Sequence, residues 1–180
     1  MSFIKMGMFA KVSYDQFAKD VRGIFDNMPN CQAFTDDDLR ATYEHITCPV
    51  RSTTGSAGYD FVSPCEFVLE PGQTVTIPTG IKAFMEPGWF LGLYPRSGLG
   101  CKYRLQLDNT VGIIDCDYYN NEKNEGHIII KVTNDSNIRG NVLKVHIGDR
   151  FVQGIFQIFG VTYDDNVDVS RIGGFGSTDG

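Results

Sequence analysis

From Tyr59 to Phe159 the chain is a succession of short apolar segments that Gly, Pro, Asn and Asp interrupt every roughly 8–12 residues. Segments such as EFVLEPG, QTVTIPTG and RFVQGIFQIF read as strands that end in turn residues. This rhythm is typical of β-sandwiches and barrels. It predicts an all-β fold class, and 180 residues suffice for a single domain with a sizeable core.

The segment before these strands has a different pattern. Residues 3–12 alternate loosely and predict a first strand. Ser13 then opens a sequence that resembles a helix-capping box, and apolar residues follow at helical spacing. Thr35, before three aspartates, predicts the start of a second helix that ends at about His45. We interpret residues 14–45 as a small helical insertion, either a decoration of the β domain or a surface for a partner.

Composition narrows the classes of partner. The net charge of −6 argues against a nucleic-acid backbone or an anionic membrane as the main partner. No stretch approaches the length of a membrane span, and the N-terminus lacks the apolar block of a signal peptide. The 5 cysteines are widely spaced without a CxxC pair, and the 3 histidines are scattered. Reduced thiols in a cytoplasmic protein fit this pattern, and a zinc site does not.

Four polar islands interrupt the strands, in the segments GSAGYD, PRSGLG, NTVGIIDCDY and GDRFVQ. The first places Asp60 at a strand entrance, where an Asx-turn is the common alternative. The second supplies an arginine, a hydroxyl and glycine-freed amides, which are the donors that a polyphosphate needs. In the third, an apolar strand leads to Asp115, and a carboxylate can orient water or bind a hard cation. Taken singly, each island is equally consistent with a polar turn or strand end.

The chain ends in RIGGFGSTDG, in which glycines flank Phe175. A phenylalanine between glycines has no regular structure to hold it in a core. Taken alone, this segment is typical of a frayed terminus, and the alternative is an arm that orders over a ligand.

The order of these segments is more informative than any one of them. AGYD, PRSGLG, NTVGIIDCDY, GDRFVQ and GGFGST resemble, in sequence order, the five motifs of the trimeric dUTPase family, over about residues 49–180. The resemblance implies a jelly-roll-like distorted β-barrel that assembles as a homotrimer with active sites at subunit interfaces. It also implies that residues 1–180 form one domain, in which residues 171–180 are a flexible arm over the site.

The reaction that the resemblance implies is hydrolysis of dUTP to dUMP and pyrophosphate, which limits uracil incorporation into DNA and supplies dUMP for thymidylate synthesis. Asp115 would be the general base that deprotonates the attacking water. Because a carboxylate is a weak base, positioning and phosphate neutralisation must supply most of the acceleration. Mg²⁺ would assist, with Asp60 contacting it through water.

The resemblance also assigns the contacts to the substrate. The residues that would recognise uracil, largely through main-chain groups, are Asn109, Ile113, Ile114 and Ile129. Tyr118 would pack beneath the sugar and exclude a ribose 2′-hydroxyl. The phosphates would be held by Arg96, Ser97, Gly98 and Gln153. The arm would contribute Arg171 to the terminal phosphate and Phe175 to stack on uracil, and it would close over the triphosphate with Gly176, Ser177 and Thr178.

Two alternatives remain open. A dCTP deaminase of the same fold needs a glutamate on the strand after the aspartate hairpin, and the matching residue here is Lys131. A lysine cannot replace that carboxylate, so deamination is disfavoured. The second alternative is a nucleotide-gated regulatory protein that binds a partner through residues 14–45. Residues 119–125 form a longer excursion than the tight turn of the family, and we expect them to stand in solvent.

Overall fold

The computed structural model describes residues 4–25 and 34–168, and most of the regular structure in this part of the chain is β-strand. The strands are β1 (Gly7–Lys11), β2 (Val50–Arg51), β3 (Tyr59–Val62), β4 (Phe67–Leu69), β5 (Thr74–Pro78), β6 (Ile81–Met85), β7 (Trp89–Pro95), β8 (Leu105–Leu107), β9 (Gly112–Asp115), β10 (Ile129–Asn134), β11 (Leu143–Val145) and β12 (Arg150–Ile158). Each segment that the turn rhythm picked out contains a strand, and the predicted all-β class is confirmed.

All strand pairs between these elements are antiparallel. Two small sheets pair β1 with β6 and β11 with β4, and a three-stranded sheet has the order β5-β10-β8. The largest sheet has five strands in the order β2-β3-β12-β7-β9. Because the four polar islands begin, end or flank strands of this sheet, it is the element that positions the candidate site.

One face of the five-stranded sheet is buried. Phe61, Leu91, Leu93 and Ile114 on this face are at most 1% exposed and belong to the hydrophobic core. Side chains alternate between the faces of a strand, so the residues between them point to the opposite face. On that opposite face Ile113 is 47% exposed. Within one chain, therefore, the sheet has a packed side and an open side.

Three helices complete the described part of the chain: α1 (Tyr14–Phe25), α2 (Asp36–His45) and α3 (Ser97–Tyr103). The first two lie where the capping patterns predicted them. Thr35 and Asp38 form a reciprocal capping box, and the Ser13 hydroxyl accepts a hydrogen bond from the main-chain nitrogen of Gln16 at 3.2 Å. None of these helices is long and apolar enough to cross a membrane.

Helix α3 was not predicted, because PRSGLG contains two glycines and reads as a turn. Its first turn closes with a hydrogen bond from Gly100 N to Arg96 O at 2.8 Å. It ends at Arg104, which has a left-handed conformation with φ 51°. One short helix therefore follows directly on the arginine of the second island.

Helix α1 packs its apolar face on the β domain. Phe17, Ala18 and Val21 are at most 4% exposed, and the ring of Phe17 lies 5.7 Å from that of Tyr43 on α2. Burial of such side chains is worth roughly 1.5–3 kcal/mol each. The helical segment is therefore part of the folded core.

The segment after the third island also packs rather than projects. The prediction that residues 119–125 stand in solvent was only partly right: Asn120, Glu122 and Lys123 are exposed, whereas Asn121 is 8% exposed, and Glu125 accepts a hydrogen bond from Ser13 N at 2.9 Å. Its asparagines indicated exposure, but their amides satisfy the main chain of the segment itself. We call the packing of α1 against residues 119–127 the helix–loop contact.

Candidate active site

Three of the four polar islands meet around the buried carboxylate of Asp60, which is 6% exposed. Its Oδ1 lies 3.4 Å from Nε of Arg96, and its Oδ2 lies 3.2 Å from a terminal nitrogen of Arg150. Ser52 donates its hydroxyl hydrogen to Oδ2 at 2.7 Å. A buried charge needs such partners, and here one carboxylate orients two guanidinium groups whose remaining N–H donors can face an anion.

These partners do not suit Asp60 to direct ligation of a metal. Both of its oxygens are engaged by cations or a hydroxyl, and the side chain is 7% exposed. In residues 4–25 and 34–168, moreover, no group of three or more His, Cys, Asp or Glu is arranged to hold a metal ion. The geometry thus assigns Asp60 to the arginines.

Gln153 lies next to this cluster, in register with both Asp60 on β3 and Tyr94 on β7. Its side-chain amide donates to the carbonyl of Pro95 at 3.2 Å. Gly58 lies against the Gln153 side chain, whose amide oxygen would have to move to admit a Cβ atom there. The strand register places Gln153 beside Asp60, as expected for two groups of one site.

The remaining groups predicted to hold phosphates lie on the same side. Ser97 and Gly98 are exposed in the first turn of α3, directly after Arg96. The side chain of Arg96 is 34% exposed and that of Arg150 is 51% exposed. Together they form a cationic and hydroxyl-bearing surface, which we call the phosphate end.

Sequence reasoning missed two members of this cluster, Arg150 and Ser52. Arg150 stands inside the quoted segment GDRFVQ, so the segment itself carried the signal that could have identified it. Ser52 lies outside all four islands, and only the folded chain places its hydroxyl 2.8 Å from Arg150.

Asp115 lies elsewhere on the sheet. It is the last residue of β9, stands opposite Phe90 of β7 and is half-buried. Ile114 before it packs in the core, and a single 3₁₀ turn, Cys116–Tyr118, follows it. The apolar strand therefore delivers the carboxylate to the open side of the sheet at one corner.

The turn that leads into β9 carries Asn109. Thr110 adopts φ 68°, and Val111 N donates to the carbonyl of Asn109 at 2.7 Å, which makes the reversal tight. A hydrogen bond from Asp108 N to Lys131 O at 3.1 Å holds the turn beside β10, the strand on which Ile129 lies.

Strand β9 is the last strand of its sheet, so its outer edge has no strand neighbour in the described part of the chain. An edge strand presents unpaired main-chain N–H and C=O groups. These are the groups that the sequence predicted would read a pyrimidine at Ile113 and Ile114. We call β9 with the Asn109 turn the pyrimidine end.

Lys131 does not supply a base for deamination. Its ammonium group lies 2.8 Å from Asp108, and Thr133 donates its hydroxyl hydrogen to the same carboxylate at 2.5 Å. Partial burial alone would raise the pKa of Asp108, but these hydrogen bonds and the Lys131 charge hold that pKa below its ordinary value. The ion pair braces the Asn109 turn against β10.

Tyr118 lies outside the core strands, and it is nevertheless buried, with 3% of its surface exposed. Its hydroxyl donates to the carbonyl of His127 at 3.0 Å and accepts from the side-chain amide of Asn124 at 2.8 Å. It thus forms a fixed floor at the pyrimidine end.

The two ends are far apart within one chain. Asp115 stands opposite Phe90, whereas Gln153 and Asp60 are level with Tyr94, which is about 13 Å further along the strand at ~3.3 Å per residue. Strands β12 and β7 separate β3 from β9, which adds about 14 Å across the sheet. The Cα positions of Asp60 and Asp115 are therefore roughly 20 Å apart.

The predicted residues of the arm lie outside the described residues. They are Arg171, Phe175, Gly176, Ser177 and Thr178.

Comparison with known proteins gives one family. A family model for dUTPase matches residues 44–178. The deoxyuridine 5'-triphosphate nucleotidohydrolase of Lactococcus lactis is 44% identical over 135 residues, which cover 74% of this chain and 88% of that protein. Most of the helical segment, including all of α1, precedes the matched region.

Solved structures agree. The crystal structure of the dUTPase from Streptococcus mutans has a TM-score of 0.55 at 40% identity and covers 64% of this chain and 88% of that one. A dUTPase from phage phi11 of S. aureus has a TM-score of 0.53 at 22% identity, over 67% and 89% of the two chains, and shares the fold. That phage protein coordinates a structural Mg(II) ion.

Proposed function

The chain belongs to the dUTPase family and cleaves dUTP to dUMP and pyrophosphate, and we propose that its active sites lie between copies of the chain in a homotrimer. The observation that carries this proposal is the separation of about 20 Å between the phosphate end and Asp115. One chain alone does not bring the predicted base close to the groups that hold the phosphates. A second copy that sets its Asp115 beside the first copy's Arg96 does.

The open side of the five-stranded sheet supports this assembly. Ile113 is 47% exposed, and Phe90 and Ile155 on the same side are only half-buried. After β12 the chain runs on with Val161 at 70% and Val167 at 79% exposure. Apolar residues exposed on one face fit a contact with another copy, and a head-to-tail contact that closes on itself generates a ring of identical sites.

At the pyrimidine end, the outer edge of β9 would pair with the uracil ring through main-chain groups, and the Asn109 side chain would complete the pattern. A site built in this way rejects a base whose donors and acceptors are reversed, because buried polar groups are then left unpaired. Tyr118 would lie under the deoxyribose and leave no room for a 2′-hydroxyl.

The chemical step needs a proton acceptor and charge neutralisation. Asp115 would take a proton from water as the water oxygen bonds to the α-phosphorus. The bond from that phosphorus to the bridging oxygen breaks, and pyrophosphate leaves with the electron pair. Arg96 and Arg150, oriented by Asp60, would balance the charge that develops on the phosphates. Ser97, Gly98 and Gln153 would add hydrogen bonds.

Residues 171–180 would close this site as an arm from another copy, with Phe175 stacked on uracil. Aromatic stacking on a base is worth about 1–3 kcal/mol, which is enough to offset the ordering of a few residues. A chain truncated before Gly173 is expected to remain folded and to lose most of its activity.

Asp60 would contact Mg²⁺ only through water, because its oxygens already contact Arg96, Arg150 and Ser52 and keep lone pairs for a water molecule. We propose that the ion itself binds the triphosphate, because Mg²⁺ keeps several waters and prefers phosphate oxygens to an all-protein cage.

A cytoplasmic location is consistent with the thiols. Cys48, Cys65, Cys101 and Cys116 are all free in the described part of the chain, and free thiols are typical of reducing compartments. The net charge of −6 fits a small anionic substrate held by local arginines rather than nucleic acid.

A direct assay tests the activity. Purified protein is incubated with dUTP or dCTP and Mg²⁺, and pyrophosphate and ammonia are both measured. Pyrophosphate release from dUTP is expected, whereas ammonia release from dCTP would assign the protein to the deaminases.

A complementation experiment tests the shared site. Asp115→Asn and Arg96→Gln are each expected to lose most activity. When the two chains are co-expressed and trimers that contain both are purified through different tags, about one site in three combines an intact Asp115 with an intact Arg96 from another copy, so activity returns to about a third of wild type. Mixed trimers as inactive as their parents would show that each site lies within one chain.

A further inference from the structure

His127 links the helical segment to the floor of the pyrimidine end. The imidazole is fully buried at 0% exposure. Its Nε2 accepts a hydrogen bond from the main-chain nitrogen of Gly80 at 2.7 Å, and a main-chain nitrogen can only donate. Nδ1 therefore carries the ring proton and donates it to Oδ2 of Asp20 on α1 at 2.5 Å.

The carboxylate of Asp20 is held in place by a second hydrogen bond. Its Oδ2 also accepts from the side-chain amide of Gln16, one turn earlier on α1, at 2.8 Å. The ring of Phe17 covers the imidazole with a centroid distance of 6.3 Å. Without the Asp20 oxygen, the N–H of a fully buried ring would lose its hydrogen-bond partner, which destabilises the ring in this position.

The main chain of the same histidine holds Tyr118. The carbonyl of His127 accepts the Tyr118 hydroxyl at 3.0 Å. At the other end of the tyrosine, the side-chain amide of Asn121 donates to the Tyr118 carbonyl at 2.9 Å. The position of the tyrosine therefore depends on residues 121–127, and these depend on α1 through Asp20.

We propose that Asp20 and His127 are positioning residues for Tyr118, so that the helical segment outside the matched family region sets the discrimination between deoxyribose and ribose. This inference rests on the proposed function, in which Tyr118 lies beneath the sugar. A helix that precedes residue 44 thereby acts on substrate choice without touching the substrate.

The test compares kcat/KM for dUTP with kcat/KM for UTP. Asp20→Ala removes the hydrogen bond to His127, and we expect it to reduce the dUTP/UTP ratio at least about tenfold. Asp20→Asn keeps an oxygen that can accept the same hydrogen bond and should restore most of the ratio. Asp15→Ala, an exposed aspartate on the same helix, is the matched control and should leave the ratio unchanged.

A merely structural role would lower the amount of folded trimer and leave the ratio intact. A folded Asp20→Ala protein with a ratio within about twofold of wild type would therefore overturn the proposal. If Asp20→Ala does not fold, Tyr118→Phe takes over the test, because it keeps the ring and removes the hydroxyl that bonds His127. An unchanged ratio in that variant would also overturn the proposal, whereas a wild-type protein that does not hydrolyse dUTP would refute the proposed function instead.

Discussion

Polar residues are concentrated both on the open side of the five-stranded sheet and in the helix–loop contact. They differ in whether their polar groups are exposed to solvent or bonded to other residues of the chain. On the sheet, Arg96 and Arg150 keep a third or more of their side chains exposed while each pairs with Asp60. In the helix–loop contact, Asp20 and His127 are turned towards each other and have protein partners. The first region is built to meet a ligand and the second to hold a shape.

This difference explains which region is recognisable in the sequence. A ligand demands particular residue types in a fixed order, so the islands with Arg96 and Asp115 stand out against the strands. A polar contact that only holds a shape can use many residue pairs, and Asp20 and His127 are 107 residues apart. Substitutions in the first region should therefore change rate, and those in the second should change stability or selectivity.

The largest effect is expected at the pyrimidine end. Asp115→Asn keeps the size of the side chain and removes its ability to take a proton, so kcat should fall about 10²–10⁴-fold. Binding of a non-hydrolysable dUTP analogue should be within a few-fold of wild type by calorimetry. A variant with substantial kcat would show that Asp115 is not the base. It would also remove the strongest evidence that substitutions on the sheet act on rate.

An intermediate effect is expected in the helix–loop contact. Gly126 has φ 79°, and a Cβ atom there would lie 2.5 Å from the Tyr118 carbonyl oxygen. Gly126→Ala should cost about 2 kcal/mol or more, from the left-handed backbone and from the overlap. Urea unfolding at a fixed protein concentration measures the loss.

Gly140→Ala is the matched control for that substitution. Gly140 has φ 76° but nothing near its Cβ position, so the backbone term of about 1–2 kcal/mol acts alone. Equal losses in the two variants would mean that the close approach to Tyr118 adds nothing and that the contact is looser than described.

The smallest effect is expected at Glu125, which joins Ser13 and Lys82. Partial burial would raise the pKa of Glu125, but hydrogen bonds from Ser13 and Lys82 and the Lys82 charge hold it below the ordinary 4.5. The ionised carboxylate therefore stabilises the fold above about pH 4.5, and this stabilisation is lost as the pH falls through the lower folded-state pKa.

Glu125→Gln should accordingly lower the free energy of unfolding by up to about 1 kcal/mol at pH 7, and less as the pH drops below that value. Unfolding curves of both proteins between pH 7 and the acid limit of folding test this. Glu122→Gln, at an exposed neighbour, should show no such dependence. A constant difference across this range would assign the effect to shape rather than charge.

Much of the fold followed from local pattern. The turn rhythm located the strands, and the capping residues Ser13 and Thr35 located α1 and α2, because these signals act within a few residues. Helix α3 was not predicted because its two glycines disfavour a helix locally.

The residues of the candidate site were predicted better than the contacts between them. Its residue types followed from the islands, but the pairing of Asp60 with Arg150 joins positions 90 residues apart and needed the folded sheet. The packing of residues 119–125 was only partly predicted, since asparagines that bind their own main chain have the same composition as asparagines in water. The proposed allocation of Asp115 and Arg96 to different copies depends on strand order, which no local pattern encodes.

The unpaired stretch after β12 has a consequence for how the protein comes into being. Val161, Tyr163 and Val167 are all exposed, and a turn closed by a hydrogen bond from Asp165 N to Thr162 O at 3.2 Å lies between them. A newly synthesised chain exposes this apolar segment before it assembles with other copies. An unpaired strand edge of another chain can then bind the segment instead. Refolding from denaturant is therefore a competition between assembly with other copies and aggregation. The outcome should depend on the protein concentration.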